Sequence, residues 1–493
     1  MLHRKKIIII LITLLVIAFA FVAFNNFRNV SIFLNKIDES IPANIKKKLL
    51  NTVLIFKKVE ILKKQIAQKD SEFQDFLENP DISITYNFRK EENIEKKNFD
   101  KIKENQNKDL LKNLAKTKIA NQKILLTKFK LPHLKDIGYR AYLNYQNNKL
   151  FLITGSGVLM FTSKKNIESE NFTFKKINTN FNDIVGEKYV LGRQPIVRHF
   201  FIKENKIYIS IMAKIKDDCY YNKILVGDLN LENIILKEFF SLNECQPVFS
   251  FAVGGKIADF KDGKILFSIG DHGSVERVVN PITGQVSKES LVGKIISLEE
   301  KSGKYRILSM GHRNPQGLFY DKKDDIIYST EHGPKGGDEI NLIVPPPREM
   351  KIKNYGWPIS SYGEHYDYNL NVRHKKGDII KRAPLHNSHS QYGFTEPLMY
   401  FVPSITPTQI IKTEEFIKVE NKNIIYVASL GGSNPERHRS VHQFILNNNL
   451  KVEEHNIIPI GSRVRDIIYI KEFNKMFLFL ENIQSIGVLE LDK

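Results

Sequence analysis

The sequence predicts an all-β protein, a six-bladed β-propeller, and three observations carry that expectation. Beyond residue 131 the apolar residues recur with a period of two, as the alternating faces of a strand require. One short alternating strand that ends in small or polar residues then returns six times, at 149–154, 206–210, 264–269, 325–330, 423–428 and 475–480. Four of the five spacings are close to the length of a four-stranded unit, and the fifth is long because residues 334–400 include an insertion. Radial repetition of such units leaves few exposed strand edges, which makes a propeller the economical architecture. An open β-sandwich is the alternative.

The amino-terminal quarter reads differently. Residues 7–24 form an apolar run in which Thr13 is the one polar member, preceded by His3, Arg4, Lys5 and Lys6. Such a run reads as an N-terminal transmembrane helix that starts in the cytoplasm, with residues 1–25 as cytoplasmic tip and anchor. A cleavable signal peptide is the alternative, because Ala18-Phe19-Ala20 is a loose small-x-small site. Either reading exports the remainder, and the expectation is a single-pass protein of a bacterial inner membrane with its globular domain in the periplasm. Residues 26–130 are rich in Lys, Glu, Asn and Gln, with Leu49, Val53, Phe56, Leu62 and Ile66 at helical spacing, and read as a charged helical stalk. The propeller is expected over 131–493.

Composition narrows the partners. With 42% apolar residues and 11% aromatics, the 493-residue chain can bury a large core. The net charge of +19 comes from lysines dispersed among isoleucines and asparagines rather than from a basic patch, so no nucleic-acid partner is expected. Cys219 and Cys245 are the two cysteines, and in an exported domain they are expected to form a disulfide.

In a propeller the start of each inner strand and the end of the second strand lie on one face, because the two form a hairpin. The inner-strand starts carry Arg140, Arg198, Lys256, Arg313, Arg463 and Arg465. Converging cations repel unless an anion compensates, and guanidinium forks match carboxylates at two points, so a carboxylate-bearing ligand is favoured. The alternative is that each arginine pairs with a neighbouring acid such as Asp466. The second-strand ends supply Gly270-Asp271-His272-Gly273 and Glu331-His332-Gly333-Pro334, the latter running into Lys335-Gly-Gly-Asp-Glu-Ile-Asn341. Glycines that turn carbonyls toward a ligand beside carboxylates suit a hard cation, although the same residues also make ordinary turns.

Three longer motifs sharpen this picture. Gly311-His-Arg-Asn-Pro-Gln-Gly317, Thr330-Glu-His-Gly-Pro-Lys-Gly-Gly-Asp-Glu-Ile-Asn-Leu342 and Asn354-Tyr-Gly-Trp-Pro358 resemble those of the soluble aldose or glucose/sorbosone dehydrogenases that use pyrroloquinoline quinone. Pro403-Ser-Ile-Thr-Pro407 and Arg463-Val-Arg-Asp466 follow in the family's order, and the resemblance covers residues 137–491. It implies that Arg313, Asn314, Arg463 and Arg465 contact the quinone and that the backbone carbonyls of Gly333 and Pro334 ligate Ca2+. It also implies a small-molecule sugar or alcohol substrate and electron delivery to a respiratory-chain acceptor.

The departures are specific. Ala252 stands where the family places its catalytic histidine, and alanine cannot take a proton. The catalytic residue is therefore unassigned, with His272 on the ligand face as a surrogate base, and Gly431 likewise stands where a family lysine is expected. Two functions therefore stay open at this point: a quinone- and calcium-dependent dehydrogenase, or a catalytically silent propeller that binds a ligand or serves as a scaffold.

Overall fold

Six antiparallel four-stranded units organise the chain in a computed structural model. It describes residues 84–85, 87–95, 97–98, 123–131, 140–170, 172–185, 196–216, 219–246, 252–273, 290–366, 383–432 and 439–491. All of these fall in one compact unit, Asn79–Lys493. The inner strands are Ala141–Gln146, Val197–Lys203, Gly254–Phe260, Pro315–Asp321, Pro407–Lys412 and Val464–Ile470, of blades 1 to 6 in order. Each packs beside the next, and blade 6 returns to blade 1, so the ring is closed. The second strands are Lys149–Thr154, Lys206–Lys216, Lys264–Ile269, Ile326–Glu331, Asn423–Ser429 and Lys475–Leu480, which match the six sequence repeats.

Local sequence explains the hairpins. In blade 1, Asn147 and Asn148 join the inner and second strands with φ of 49° and 60°, and asparagine tolerates this left-handed pair that suits the twist of a hairpin. Each second strand carries a buried aromatic ring: Phe151, Tyr208, Phe267, Tyr328, Tyr426 and Phe477. The core accordingly lies between blades rather than at one centre. Tyr208, Ile224, Phe267 and Ile296 fill the layer between blades 2 and 3, and Tyr426, Ile458, Ile467 and Leu478 that between blades 5 and 6.

Blade 6 closes the ring with strands from both ends of the described chain. Val464–Ile470, Lys475–Leu480 and Ser485–Leu491 are completed by Lys123–Lys130, which precedes blade 1. This corrects the helical reading of 26–130 where that stretch is described. Strands occur at Ile84–Thr85, Asn87–Glu95, Lys97–Asn98 and Lys123–Lys130, and the propeller begins before residue 131. The reason is tertiary: Ile124 and Leu126 alternate into the blade 5–6 core, and the edge of Ser485–Leu491 pairs with their backbone. Asn87–Glu95 extends the same sheet, while Lys97–Asn98 adds to blade 5 and Ile84–Thr85 to blade 1.

The residues that carried the helical spacing, Leu49 to Ile66, and the apolar run 7–24 lie outside the described residues. Among the described residues no helix is long and apolar enough to cross a membrane. Cys219 and Cys245 form the expected disulfide, with Cα atoms 4.6 Å apart at the rim of blade 2. The insertion after Gly333 reaches back to blade 3, where Lys353–Asn354 pairs in parallel with the outer strand Tyr305–Met310.

Candidate functional site

Three of the sequence-selected arginines meet at one carboxylate. Glu481, the residue after the second strand of blade 6, is 5% exposed and accepts from Arg465 Nε. Arg463 Nε stands 3.2 Å from its other oxygen, and Arg140 Nε 3.7 Å away. Burial pushes the Glu481 carboxyl up, but Arg465, Arg140 and Arg463 outweigh it and hold the group down at about 2. Arg463 also donates to the Leu430 carbonyl at 3.3 Å. Tyr142, buried on the inner strand of blade 1, feels Arg465, Arg140 and Arg198, yet burial dominates and raises its phenol. Asp466 engages a lysine instead. It takes Lys256 at 2.9 Å and the Leu143 N–H at 2.8 Å in a pair that is almost fully buried.

Arg313 lies on the other side of this cluster, at the junction of blades 3 and 4. Its N–H donates to Glu331 Oε2 at 2.7 Å, and its carbonyl accepts from the Asp271 N–H at 2.8 Å. The guanidinium stands 5.3 Å from the ring centroid of Trp357, and Nη1 donates to the carbonyls of Gly333 at 2.7 Å and His332 at 3.2 Å. Trp357 is oriented by its own indole N–H, which donates to Asp271 Oδ2 at 2.9 Å. Gly333 is glycine for a reason of space, since a Cβ there would stand 2.1 Å from the Gly337 carbonyl oxygen. The Pro334 carbonyl accepts from the Tyr366 hydroxyl at 3.2 Å.

Between the two arginine groups stands His332. Its Nε2 bonds the Pro407 carbonyl at 2.7 Å, which fixes the proton on Nε2, and Nδ1 accepts from Asn314 Nδ2 at 3.3 Å. Burial, followed by Arg465, Arg313 and Arg140, lowers its pKa to about 3, so the ring is neutral. Asn314 Oδ1 accepts from Gly254 N–H at 3.1 Å and Gln316 Nε2 at 2.8 Å, which ties blade 4 to the head of blade 3. At that head Ala252 is half-buried, and its carbonyl accepts from the His272 N–H at 2.7 Å. His272 is therefore beside the alanine, with its side chain buried.

The acidic pair Asp338 and Glu339 is committed elsewhere. Asp338 Oδ1 accepts from Gly333 N–H at 3.0 Å, and Oδ2 accepts from Ser404 Oγ and the Ile405 and Thr406 N–H groups at 2.6 to 2.8 Å. It thus pins the Pro403–Pro407 turn to the Gly333 turn. Glu339 pairs with His389 at 3.0 Å, and His389 with Ser360 at 2.7 Å, which fastens the insertion to blade 4. Among the described residues no group of three His, Cys, Asp or Glu could hold a metal ion.

Sequence reasoning had passed over Glu481, Tyr142 and the partners of Trp357. Glu481 was within reach: the rule that singled out Asp271 and Glu331 at the ends of the second strands of blades 3 and 4 names Glu481 at the end of that of blade 6.

A closed six-bladed ring with a cationic axial mouth defines the class, and comparison with known proteins defines the family. The chain belongs to the Glucose / Sorbosone dehydrogenase family, whose model matches residues 195–483. It is similar to the aldose sugar dehydrogenase YliI of Escherichia coli, 24% identical over 223 residues, covering 43% of this chain and 53% of that protein. It is also similar to quinoprotein glucose dehydrogenase B of Acinetobacter calcoaceticus, 25% identical over 287 residues, covering 52% and 56%. The chain thus spans about half the length of these curated relatives. A solved structure of the soluble aldose sugar dehydrogenase of Escherichia coli in the apo-form shares the fold, with a TM-score of 0.52 at 17% identity over 72% of this chain and 96% of that one.

Proposed function

We propose that this protein is a quinoprotein-type dehydrogenase that oxidises an aldose or related alcohol at the cationic mouth of the propeller. The carrying observation is the convergence of guanidinium groups there: Arg140, Arg463 and Arg465 gather on the buried Glu481, and Arg313 stands across His332 at the junction of blades 3 and 4. Guanidinium forks around a shared carboxylate suit a ligand that itself bears carboxylates, and pyrroloquinoline quinone is of that kind. When bound, the quinone supplies a two-electron acceptor for the hydride of a sugar carbon.

The residues of the chain have separate tasks in this reading. Arg463 and Arg465 hold the carboxylates or carbonyls of the cofactor, and Arg313 with Trp357 forms a wall beside it. Asn314 keeps the heads of blades 3 and 4 together. His332 cannot accept a proton near neutral pH, because its pKa is about 3, and it stays a fixed donor to Pro407. His272, beside Ala252, is the imidazole this reading assigns as proton acceptor.

Calcium does not fit the arrangement. The Gly333 carbonyl is held by Arg313 and the Pro334 carbonyl by Tyr366, while Asp338 and Glu339 are spent on the turns around them. A divalent ion on the Gly333 oxygen would lie about 4 Å from the guanidinium, a repulsion of about 8 kcal/mol at an effective dielectric constant of about 20. No step is therefore routed through a metal.

The apolar run at residues 7–24 supports an exported domain anchored in a bacterial inner membrane and facing the periplasm, where electrons would pass to a respiratory-chain acceptor. Ala252 favours the second reading, a propeller that binds ligand without turnover. Purified full-length chain mixed with pyrroloquinoline quinone separates the two, with binding followed through Trp357 fluorescence and turnover through aldose-dependent dye reduction. Binding with turnover supports the dehydrogenase and binding alone the ligand-binding module; neither leaves a scaffold.

A further inference from the structure

We infer that a cavity between blades 6 and 1, away from the axial mouth, is a binding site for a small organic ammonium ion, seated among phenylalanine rings and held by carboxylates at its rim. The strand period builds its floor. In blade 6, Ile124, Leu126, Met476, Leu478 and Leu489 turn into the blade 5–6 core, so the alternate residues Thr127, Phe129, Phe477 and Val488 face blade 1. Blade 1 answers with Ile167 of its short helix Lys164–Glu168 and with Phe172 of the turn that follows. Between the two blades a cavity of about 190 Å³ stays open, and Phe473 completes its wall. At about 30 Å³ per water it holds roughly six waters, which is the size of a small amine. Lys475 begins the strand that ends beside Glu481, so roughly 17 Å of strand separates this cavity from the arginine cluster.

Rings and charges together select the ligand. Phe129 and Phe172 have centroids 4.6 Å apart and planes tilted by 53°, and Phe473 and Phe477 stand 6.2 Å apart at 54°. Rings tilted in this way do not clamp a flat ligand, whereas their electron-rich faces suit a rounded cation with an apolar body. The Lys164 ammonium already stands 5.7 Å from the centroid of Phe473. Among the residues that line the cavity, Glu168, Glu170 and Glu490 face Lys475 alone, an excess of two negative charges on a chain whose net charge is +19. Lys475 is engaged by Glu490 at 2.6 Å, and Lys164 divides between Glu472 at 2.7 Å and Glu168 at 3.8 Å. Glu170 is exposed and has no ion pair among the described residues. Such a rim repels an anion and leaves a neutral guest without electrostatic attraction, so a cation is the matching occupant.

The test is calorimetric titration of the full-length chain with choline, whose trimethylammonium head is the probe. Beside it runs the neutral tert-butyl analogue, the same alcohol with carbon in place of the ammonium nitrogen. Choline is expected to bind with a Kd on the order of 1 mM or below, and the neutral analogue at least about tenfold more weakly. Phe473→Ala, at the half-buried wall, is expected to weaken choline by about tenfold, and the exposed Glu170→Gln by about threefold. Thermal unfolding checks that each variant is folded; if Phe473→Ala is not, Glu170→Gln and the neutral analogue decide. Equal affinity for the two probes overturns the inference, and so does choline affinity that is unchanged in either folded variant. Absence of choline binding by calorimetry and by ligand-observed NMR overturns it as well. None of these results bears on the quinone reading, which concerns the other end of the blade.

Discussion

Replacing Glu481 by Gln removes the single charge that Arg140, Arg463 and Arg465 share, while keeping the shape of the side chain. The depression of its pKa from 4.5 to about 2 corresponds to roughly 3 kcal/mol of stability, and the group is only 5% exposed, so solvent screens little of it. Breaking one partner of a buried ion pair costs a similar amount, about 3 to 5 kcal/mol. The sign follows from the depression: the stabilisation is fully present above pH 4.5 and is lost as pH falls toward about 2. Denaturant unfolding followed by the single tryptophan, Trp357, should therefore show Glu481→Gln about 3 kcal/mol less stable than the wild type at pH 7. That difference should shrink to near zero by about pH 2. Citrate should raise the melting temperature of the variant more than that of the wild type, because it restores negative charge beside the arginines. A variant within about 0.5 kcal/mol of wild type at pH 7 would refute the argument that Glu481 neutralises this cluster.

Three other outcomes are expected. The disulfide closes a separation of 26 residues, so Cys219→Ser with Cys245→Ser should lose about 3.5 kcal/mol in the chain-entropy estimate, read as the drop in unfolding free energy with and without reductant. Gly333→Ala should force the Gly336-Gly337 turn to shift, cost about 1 to 3 kcal/mol, and change the Trp357 emission, since Arg313 loses its seat; an unchanged spectrum would show that the seat does not depend on that turn. His272→Ala should lower sugar-dependent dye reduction by about 10²-fold or more with quinone affinity kept, and Ala252→His on that background should recover it; unchanged turnover in His272→Ala would place the proton acceptor elsewhere.

Composition and motifs decided less of the N-terminal region than they did of the propeller. Lys123–Lys130 belongs to a stretch whose lysines and glutamates read as helix, and its strand character appears only once Ser485–Leu491, more than 350 residues later, offers an edge to pair with. Local propensity cannot register so distant a partner. The axis behaved in the same way. Its cations were legible as a set, because every blade places the start of its inner strand at the same mouth, but their counter-charges were not.

What the sequence determined by itself was the repeat. Period-two strands recur at blade length because each blade has the same two faces to bury, and that regularity survives divergence in every individual residue. The arginines, the Gly333-Pro334 turn and the cysteine pair were named with it. Tertiary structure alone decided what each of them touches. Glu481 rather than Asp466 collects the arginines, Asp338 ties turns together, and Arg313 takes the Gly333 carbonyl. Such pairings depend on the angle between blades and the reach of side chains across the axis, to within an ångström, and a linear pattern carries neither.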